Sequence, residues 1–134
     1  MTIAAVADTH TALWYLFGDS RLSRTVTIFI DEAAISRNKI AISSISLAEL
    51  VYLVEKSRLP AEAYQQLTDA LADPEHVFIE AVFTTAIVEC MRRISRAEVP
   101  DMPDRMIAAT SLYFDVPVFS RDQRIRTANL MSIW

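Results

Sequence analysis

The sequence predicts an α/β domain built around a mainly parallel sheet. Short apolar runs alternate with longer segments in which apolar residues recur at helical spacing. No two of the short runs lie close enough in sequence to form a hairpin, which is the pattern of parallel βαβ units. Because 134 residues is an ordinary length for one domain, we expect residues 1–134 to form a single domain with four to five strands.

The predicted strands are short apolar runs that end at helix or turn signals. They cover residues 2–7, 40–43, 77–81 and 116–119, and residues 131–134 would add a fifth strand at an edge. The first run is rich in alanine, which is a weak strand former. It is nevertheless expected to be a strand because it is short, apolar and followed by an acid.

The predicted helices follow these strands. They are expected at residues 8–17, 23–36, 46–57, 61–72, 85–97 and 101–113, with a short helical turn at 122–126. Gly18 should end the first helix. Residues 46–72 should form a helical hairpin, which either packs in the core or presents an apolar surface to a partner.

Four helix starts carry an acid. Asp8, Glu49 and Asp122 each follow a short apolar run, and Asp104 opens another helix three residues after Asp101. In an open parallel sheet, ligands bind outside the carboxyl ends of the strands. Acids at these positions therefore converge in space, however far apart they lie in sequence.

Helix capping is a local alternative explanation for the same acids. Asp101 can cap its helix, with Pro103 and Asp104 in the first turn, and the spacing of Ser46 and Glu49 is that of a capping box. Glu49 is also the only acid in a run that is apolar on every side, which predicts a buried helix. A carboxylate in such surroundings must be paired or bound to a cation.

Composition excludes several kinds of site. A single cysteine, Cys90, rules out an intramolecular disulfide and a cysteine-cluster metal site, and it is expected to be a buried structural thiol. With Gly18 as the only glycine, there is no phosphate-binding loop, dinucleotide fingerprint or serine-hydrolase elbow. His10 and His76 are too few for a standard zinc site. His10 lies four residues before Trp14 on one helix face and is expected to pack or to pair rather than to bind a metal.

Carboxylate oxygens remain as the chemistry of the site. Four carboxylates brought together repel one another, and their pKa values rise unless a cation lies among them. Hard oxygen ligands suit Mg²⁺ or Mn²⁺. Such a site can polarise a phosphodiester and activate water for attack on it.

The charge pattern is compatible with contacts to phosphate. The net charge of −4 argues against a broad nucleic-acid surface. Arginine accounts for 11 of the 13 basic residues, and Arg105, Arg121, Arg124 and Arg126 lie close to two of the acids. They would hold phosphate oxygens, or alternatively form solvated helix faces and ion pairs.

Four motifs give the chain a family resemblance. ADTHTALWYL at residues 7–16, SLAE at 46–49, DRMIAAT at 104–110 and FSRD at 119–122 are similar to the four motifs of PIN-domain ribonucleases. The resemblance is closest to the VapC-type toxins of toxin–antitoxin pairs, and it spans the whole chain in the right order.

This resemblance implies a three-layer α/β/α domain with an acidic Mg²⁺ or Mn²⁺ site formed by Asp8, Glu49, Asp104 and Asp122. It implies an endoribonuclease in which the cation activates water, acting on single-stranded RNA or exposed loops. It makes Asp104 the motif acid and leaves Asp101 as a cap or outer ligand. Ser120 stands where such proteins often have threonine, and its hydroxyl is expected to contact a site carboxylate or the substrate.

The resemblance also implies partners, namely a cognate antitoxin that covers the groove and a second copy of the chain in a homodimer. The 52% hydrophobic composition likewise suggests that another chain covers part of the surface. No apolar run is long enough to span a membrane and no signal peptide is recognisable, so we expect a cytoplasmic protein.

Two other functions compete with the nuclease. One is a catalytically silent PIN-like module that acts through protein contacts in an antitoxin and repressor complex. The presence of all four acids argues against it. The other is a phosphatase of the haloacid-dehalogenase type, which would need a second aspartate two residues after Asp8, where the sequence has His10.

Overall fold

A computed structural model describes residues 2–127 and 130–134. Five parallel strands form one sheet in the order β3-β2-β1-β4-β5. The strands are β1 (Ile3–Ala7), β2 (Lys39–Ser43), β3 (Phe78–Ala81), β4 (Val118–Phe119) and β5 (Ser132–Ile133). The helices are α1 (Thr9–Phe17), α2 (Arg24–Ile35), α3 (Ser44–Glu55), α4 (Ala61–Ala72), α5 (Thr85–Met91), α6 (Met102–Phe114) and α7 (Gln123–Thr127).

Strand β1 lies at the centre of the sheet despite its alanine content. Its last three residues, Ala5, Val6 and Ala7, are fully buried between β2 and β4. Because successive side chains of a strand point to opposite faces, Ala5 and Ala7 pack with α1, α2 and α4, whereas Val6 packs with α5 and α6. Two hydrophobic clusters therefore cover the two faces of the sheet, and the three-layer α/β/α prediction is confirmed.

Local signals set the ends of several helices as the sequence predicted. Gly18 ends α1 in the left-handed conformation, with φ of 62°. Asp101 caps α6, since its Oδ2 accepts a hydrogen bond from the backbone N–H of Asp104 at 3.2 Å. The hairpin of α3 and α4 is also present.

Helix α3 differs from the prediction in its start and in its burial. It begins at Ser44 with Ser43 as its cap, whose hydroxyl accepts from the Ile45 N–H at 3.2 Å, so the predicted capping box is wrong. Val51 and Tyr52 are 43% and 53% exposed, so the prediction of a helix buried on every side is also wrong. The apolar pattern reflects a second, uncovered face.

Helix α5 is shorter than the predicted 85–97. Beyond Met91 the chain turns, and Ser95 accepts hydrogen bonds from the N–H groups of Ala97 and Val99. These local bonds compete with helical ones. None of the helices in the described part of the chain has the length and apolar character needed to cross a membrane.

Candidate active site

The acids that the sequence singled out line one pocket at the carboxyl end of the sheet. This pocket has a volume of about 330 Å³. Asp8, Glu49, Asp104 and Asp122 all line it, and Asp101 lies on its wall. The other side chains on its wall are Thr9, His10, Trp14, Ile107, Arg121 and Arg124.

Asp8 is placed by the junction of β1 and α1. Its Oδ1 accepts a hydrogen bond from the backbone N–H of Thr11 at 3.0 Å and so caps α1. Burial raises the pKa of Asp8, while hydrogen bonds from Thr11 and Ser120 and the charge of His10 oppose that rise. The Asp8 carboxylate is therefore held at a position where burial makes its negative charge energetically unfavourable.

Glu49 lies one turn into α3 and is oriented by buried hydroxyls. The Thr9 hydroxyl donates to Glu49 Oε1 at 2.6 Å, and the Thr9 and Ser46 oxygens lie 2.9 Å apart. Because a hydroxyl carries one hydrogen, Thr9 can donate to Glu49 only if Ser46 donates to Thr9. The two hydroxyls thus form a chain that ends on Glu49, and Thr9 is only 2% exposed.

Asp104 carries the strongest electrostatic conflict in the pocket. Its pKa is raised to about 7, first by burial and then by the negative charges of Asp101 and Asp122, a hydrogen bond with Asp122 and the charge of Asp8. Near neutral pH, Asp104 therefore holds a proton more readily than an ordinary aspartate does. The acids face one another closely enough for this conflict to arise.

Asp122 is held at the start of α7. Its backbone N–H donates to the Ser120 hydroxyl at 3.0 Å, and its Oδ1 accepts from the backbone N–H of Arg124 at 2.8 Å. Ser120 itself is fully buried and contacts the Asp8 carboxylate. The Ser120 hydroxyl thus meets a site carboxylate, which was one of its two expected contacts, and its contact with substrate stays a prediction.

The arginines divide into two groups. Arg121 and Arg124 are exposed and line the pocket, as expected for groups that meet a substrate. Arg105 is half-buried, and its Nη2 donates to the Met91 and Ile94 carbonyls at 2.9 and 3.0 Å. Arg105 does not line the pocket, and its guanidinium connects α6 to the segment after α5, so its contact with phosphate stays a prediction. Arg126 is exposed but does not line the pocket.

Comparison with known proteins agrees with this architecture. The family model for the PIN domain matches residues 5–129. The chain belongs to the PIN domain family. A search of curated proteins found no significant match.

Several solved structures share the fold of this PIN domain. VapBC2 from Rickettsia felis, bound to a DNA fragment from their promoter, matches with a TM-score of 0.69 at 20% identity, over 98% of this chain and 99% of that one. DNA-bound VapBC from Salmonella typhimurium gives 0.68 at 18% identity, over 99% and 98%. FitAcB from Neisseria gonorrhoeae gives 0.61 at 17% identity, over 97% and 96%.

The carboxylate oxygens that line the PIN-domain pocket are the kind of ligand that a hard divalent cation prefers. All four acids offer oxygen, and their repulsion is what a cation relieves. Within residues 2–127 and 130–134, no three acid, histidine or cysteine side chains are already arranged as a metal cage. Two of the acids have other partners, since Glu49 accepts a hydrogen bond from Thr9, and a hydrogen bond with Asp122 contributes to the raised pKa of Asp104.

Sequence reasoning missed the contact of Thr9 with Glu49 and did not place His10 and Trp14 in the pocket. The His10 and Trp14 rings lie 5.8 Å apart, as their spacing on one helix face indicated, and both line the pocket. A signal for Thr9 existed in its position directly after Asp8. Its partners, Ser46 and Glu49, lie 37 and 40 residues further along the chain.

Proposed function

We propose that the protein is a divalent-cation-dependent endoribonuclease that acts as the toxin of a VapC-type toxin–antitoxin pair. The observation that carries this proposal is the convergence of four acids at the carboxyl end of the sheet, with the pKa of Asp104 raised to about 7. Crowded acids with raised pKa values are typical of functional sites. Membership of the PIN family and the fold shared with VapBC structures support the same proposal.

Asp8, Glu49, Asp104 and Asp122 would hold Mg²⁺ or Mn²⁺. When bound, such a cation polarises a phosphodiester and lowers the pKa of water, so that hydrolysis proceeds near neutral pH. The protein's own side chains would supply the other functions, which are to release a proton, to keep the acids in position and to hold the RNA phosphates. Asp104 must give up its proton as the site fills, and the Asp104–Asp122 hydrogen bond opens with that loss.

Buried hydroxyls would keep the acids in position during the reaction. Ser46 and Thr9 orient Glu49, and Ser120 contacts the Asp8 carboxylate. These partners have almost no exposure to solvent, so water does not compete for their hydrogen bonds. Positions fixed in this way suit chemistry that depends on orientation.

Arg121 and Arg124 would hold the RNA phosphates. Both are exposed on the wall of a pocket whose other charges are negative. Guanidinium groups bind phosphate oxygens in a fixed geometry, so they set which phosphodiester faces the acids. Single-stranded RNA or an exposed loop would reach this open site.

An antitoxin and a second copy of the chain are the proposed protein partners. Val51 and Tyr52 on α3 and Tyr64 on α4 are 43%, 53% and 38% exposed, which gives the α3–α4 hairpin an uncovered apolar face. The similar structures are VapBC complexes, in two cases bound to DNA. That DNA also favours a second candidate function, a catalytically silent module within a promoter-binding complex, although all four acids are present.

RNA cleavage by purified protein freed of any antitoxin would test the nuclease. Total cellular RNA is incubated with Mg²⁺ or Mn²⁺, and new ends are sequenced, alongside Asp8→Asn, Asp104→Asn and an EDTA control. We expect discrete cuts that disappear in both variants and with EDTA. If folded wild-type protein makes no cuts with either cation, the nuclease is excluded and the silent module takes its place.

A further inference from the structure

Trp14 forms an aromatic wall of the acidic pocket. It lies on α1, half-buried, and belongs to neither of the two hydrophobic clusters formed by the described residues. His10 packs beside it with ring centroids 5.8 Å apart, and the Trp134 ring meets it edge-on at 5.8 Å. The half-buried Trp14 ring therefore lines the charged pocket rather than the core, and its exposed part is the surface that a ligand would meet.

Two guanidinium groups lie over the Trp14 ring. Arg21 is 5.2 Å from the ring centroid and is tied to Asp19 by a 2.7 Å ion pair. Arg121 is 5.9 Å from the same centroid, lines the pocket and forms no ion pair with a described residue. Arg121 therefore connects the aromatic wall to the acids and has its charge available to an anion.

This arrangement matches the two parts of an unpaired nucleotide. The base has a flat face that stacks on aromatic side chains, and the phosphate is an anion that binds arginine. A base on Trp14 would place its own phosphate beside Arg121 and the neighbouring acids. A base within a duplex is already stacked on both faces, so it cannot use the wall without leaving the helix.

We propose that Trp14 and His10 form a base-stacking subsite that accepts one unpaired nucleobase next to the phosphate to be cleaved. The inference rests on the proposed nuclease function and adds a specificity element to it. Stacking tolerates every base, so the subsite selects unpaired over paired RNA rather than one sequence. Trp14 supplies most of the contact area, and His10, which is exposed, supplies the edge of the platform.

Binding without cleavage tests the subsite directly. A short, fluorescently labelled, single-stranded RNA of random sequence is titrated with the protein in EDTA, and its anisotropy is compared with that of an abasic strand of the same length. We expect the wild-type protein to bind the strand with bases about tenfold more tightly. Trp14→Ala should remove this preference and leave binding of the abasic strand unchanged.

Matched variants separate stacking from folding. Trp14→Phe should keep most of the preference, and His10→Ala should lose a smaller part of it. Tyr113→Ala removes an exposed aromatic ring on α6 that does not line the pocket, so it should behave as wild type. Melting temperatures of all variants report folding, and the Phe and His10 variants test the subsite even if Trp14→Ala does not fold.

The subsite is excluded if wild-type protein binds both strands equally, or if Trp14→Ala weakens both strands by the same factor. Cleavage is measured separately with Mg²⁺. Cleavage by Trp14→Ala with an unchanged KM would overturn the subsite and leave the nuclease standing. A preference for the strand with bases in a protein that cuts no RNA would show base stacking on Trp14 but exclude the nuclease, and with it a subsite beside a phosphate to be cleaved.

Discussion

Two cavities of similar volume, about 330 Å³ each, lie at opposite ends of the sheet, and they differ in what their charged groups contact. At the amino end, Lys39, Arg37 and Glu75 line a cavity next to the starts of β2 and β3. The Lys39 ammonium donates to the carbonyls of Pro74 and His76, so it fastens the chain before β3 to β2. In that cavity the Lys39 ammonium is held in a structural contact, and Glu75 is the only acid among the described residues that line it.

The carboxyl-end pocket instead concentrates acids. Burial and the charges of three other aspartates raise the pKa of Asp104 to about 7, and burial also raises that of Asp8. Volume therefore does not distinguish the two cavities, whereas unrelieved repulsion does. A functional pocket is therefore recognised by charged groups whose mutual repulsion is unfavourable in free energy while no ligand is bound.

The largest expected effect follows from removing one acid from each cavity. If Asp104 holds the proposed cation, Asp104→Asn should lower RNA cleavage by about 100-fold or more, because one of the cation's ligands is then lost. Glu75→Gln, its control at the amino end, should leave cleavage unchanged. Initial rates on one identified RNA, with and without EDTA, measure both, and equal losses in the two variants would remove the distinction between the cavities.

The hydroxyl chain behind Glu49 should give the next largest effect. Thr9→Val keeps the shape of the side chain but removes its hydrogen bond to Glu49, so cation affinity or the cleavage rate should fall about 10- to 100-fold. Thr68→Val is the control, since that exposed hydroxyl only contacts carbonyls within α4. Full activity in Thr9→Val would show that Glu49 needs no orientation.

Substitution of Arg121 should affect the kinetics of cleavage, whereas substitution of Arg105 should affect the stability of the fold. Arg121→Ala should raise KM about fivefold to tenfold with little change in stability, because an exposed phosphate-binding group is lost. Arg105→Ala should destabilise the fold by about 1–3 kcal/mol, because the part-buried Met91 and Ile94 carbonyls lose the hydrogen bonds that the guanidinium donates. Urea unfolding and steady-state kinetics on both variants make the comparison, and the reverse pattern would contradict these assignments.

The smallest effect concerns pH and stability without metal. The pKa of Asp104 is about 7 in the folded state against an ordinary value of 3.8, so the folded state holds an extra proton between these values. Its stabilising contribution is present below the ordinary pKa and is lost as pH rises through about 7. In EDTA, the free energy of unfolding should fall by roughly 1–2 kcal/mol over this window, after solvent screening is allowed for.

Variants identify the source of that fall. Asp104→Asn should show a clearly flatter dependence on pH in the same urea titration, with a remainder from Asp8, whose pKa is shifted in the same direction. Glu75→Gln should keep the full fall. A wild-type protein that gains stability as pH rises would show that the acids are not in conflict.

The sequence was informative where a residue's role depends on its position in a parallel sheet. Acids that follow the ends of parallel strands meet at one edge, so the convergence of Asp8, Glu49 and Asp122 followed from the pattern. Asp104 lies at the start of α6, which follows α5 rather than a strand, and the motif resemblance singled it out. The Asp101 cap was equally predictable, because its partner lies three residues away. Their proposed roles in holding a cation stay predictions.

The remaining features depend on contacts between distant segments. Arg105 bonds carbonyls 11 and 14 residues away, whose position is set by how early α5 ends. Ser120 is buried because β4 lies between β1 and β5, which no local pattern reveals. Three serines near the start of α3 offered several possible caps, and the length of β2 selected Ser43.

Calorimetric titration of the protein with Mn²⁺ tests the central claim most directly. In buffers of different ionisation enthalpy, the measured heat reports how many protons leave as the cation binds. We predict that Mn²⁺ binding releases close to one proton near pH 6 and less near pH 8. Asp104→Asn should lose both the Mn²⁺ binding and the proton release, whereas Glu75→Gln should keep both. Absence of Mn²⁺ binding by folded wild-type protein, or equal binding by Asp104→Asn, would contradict the account.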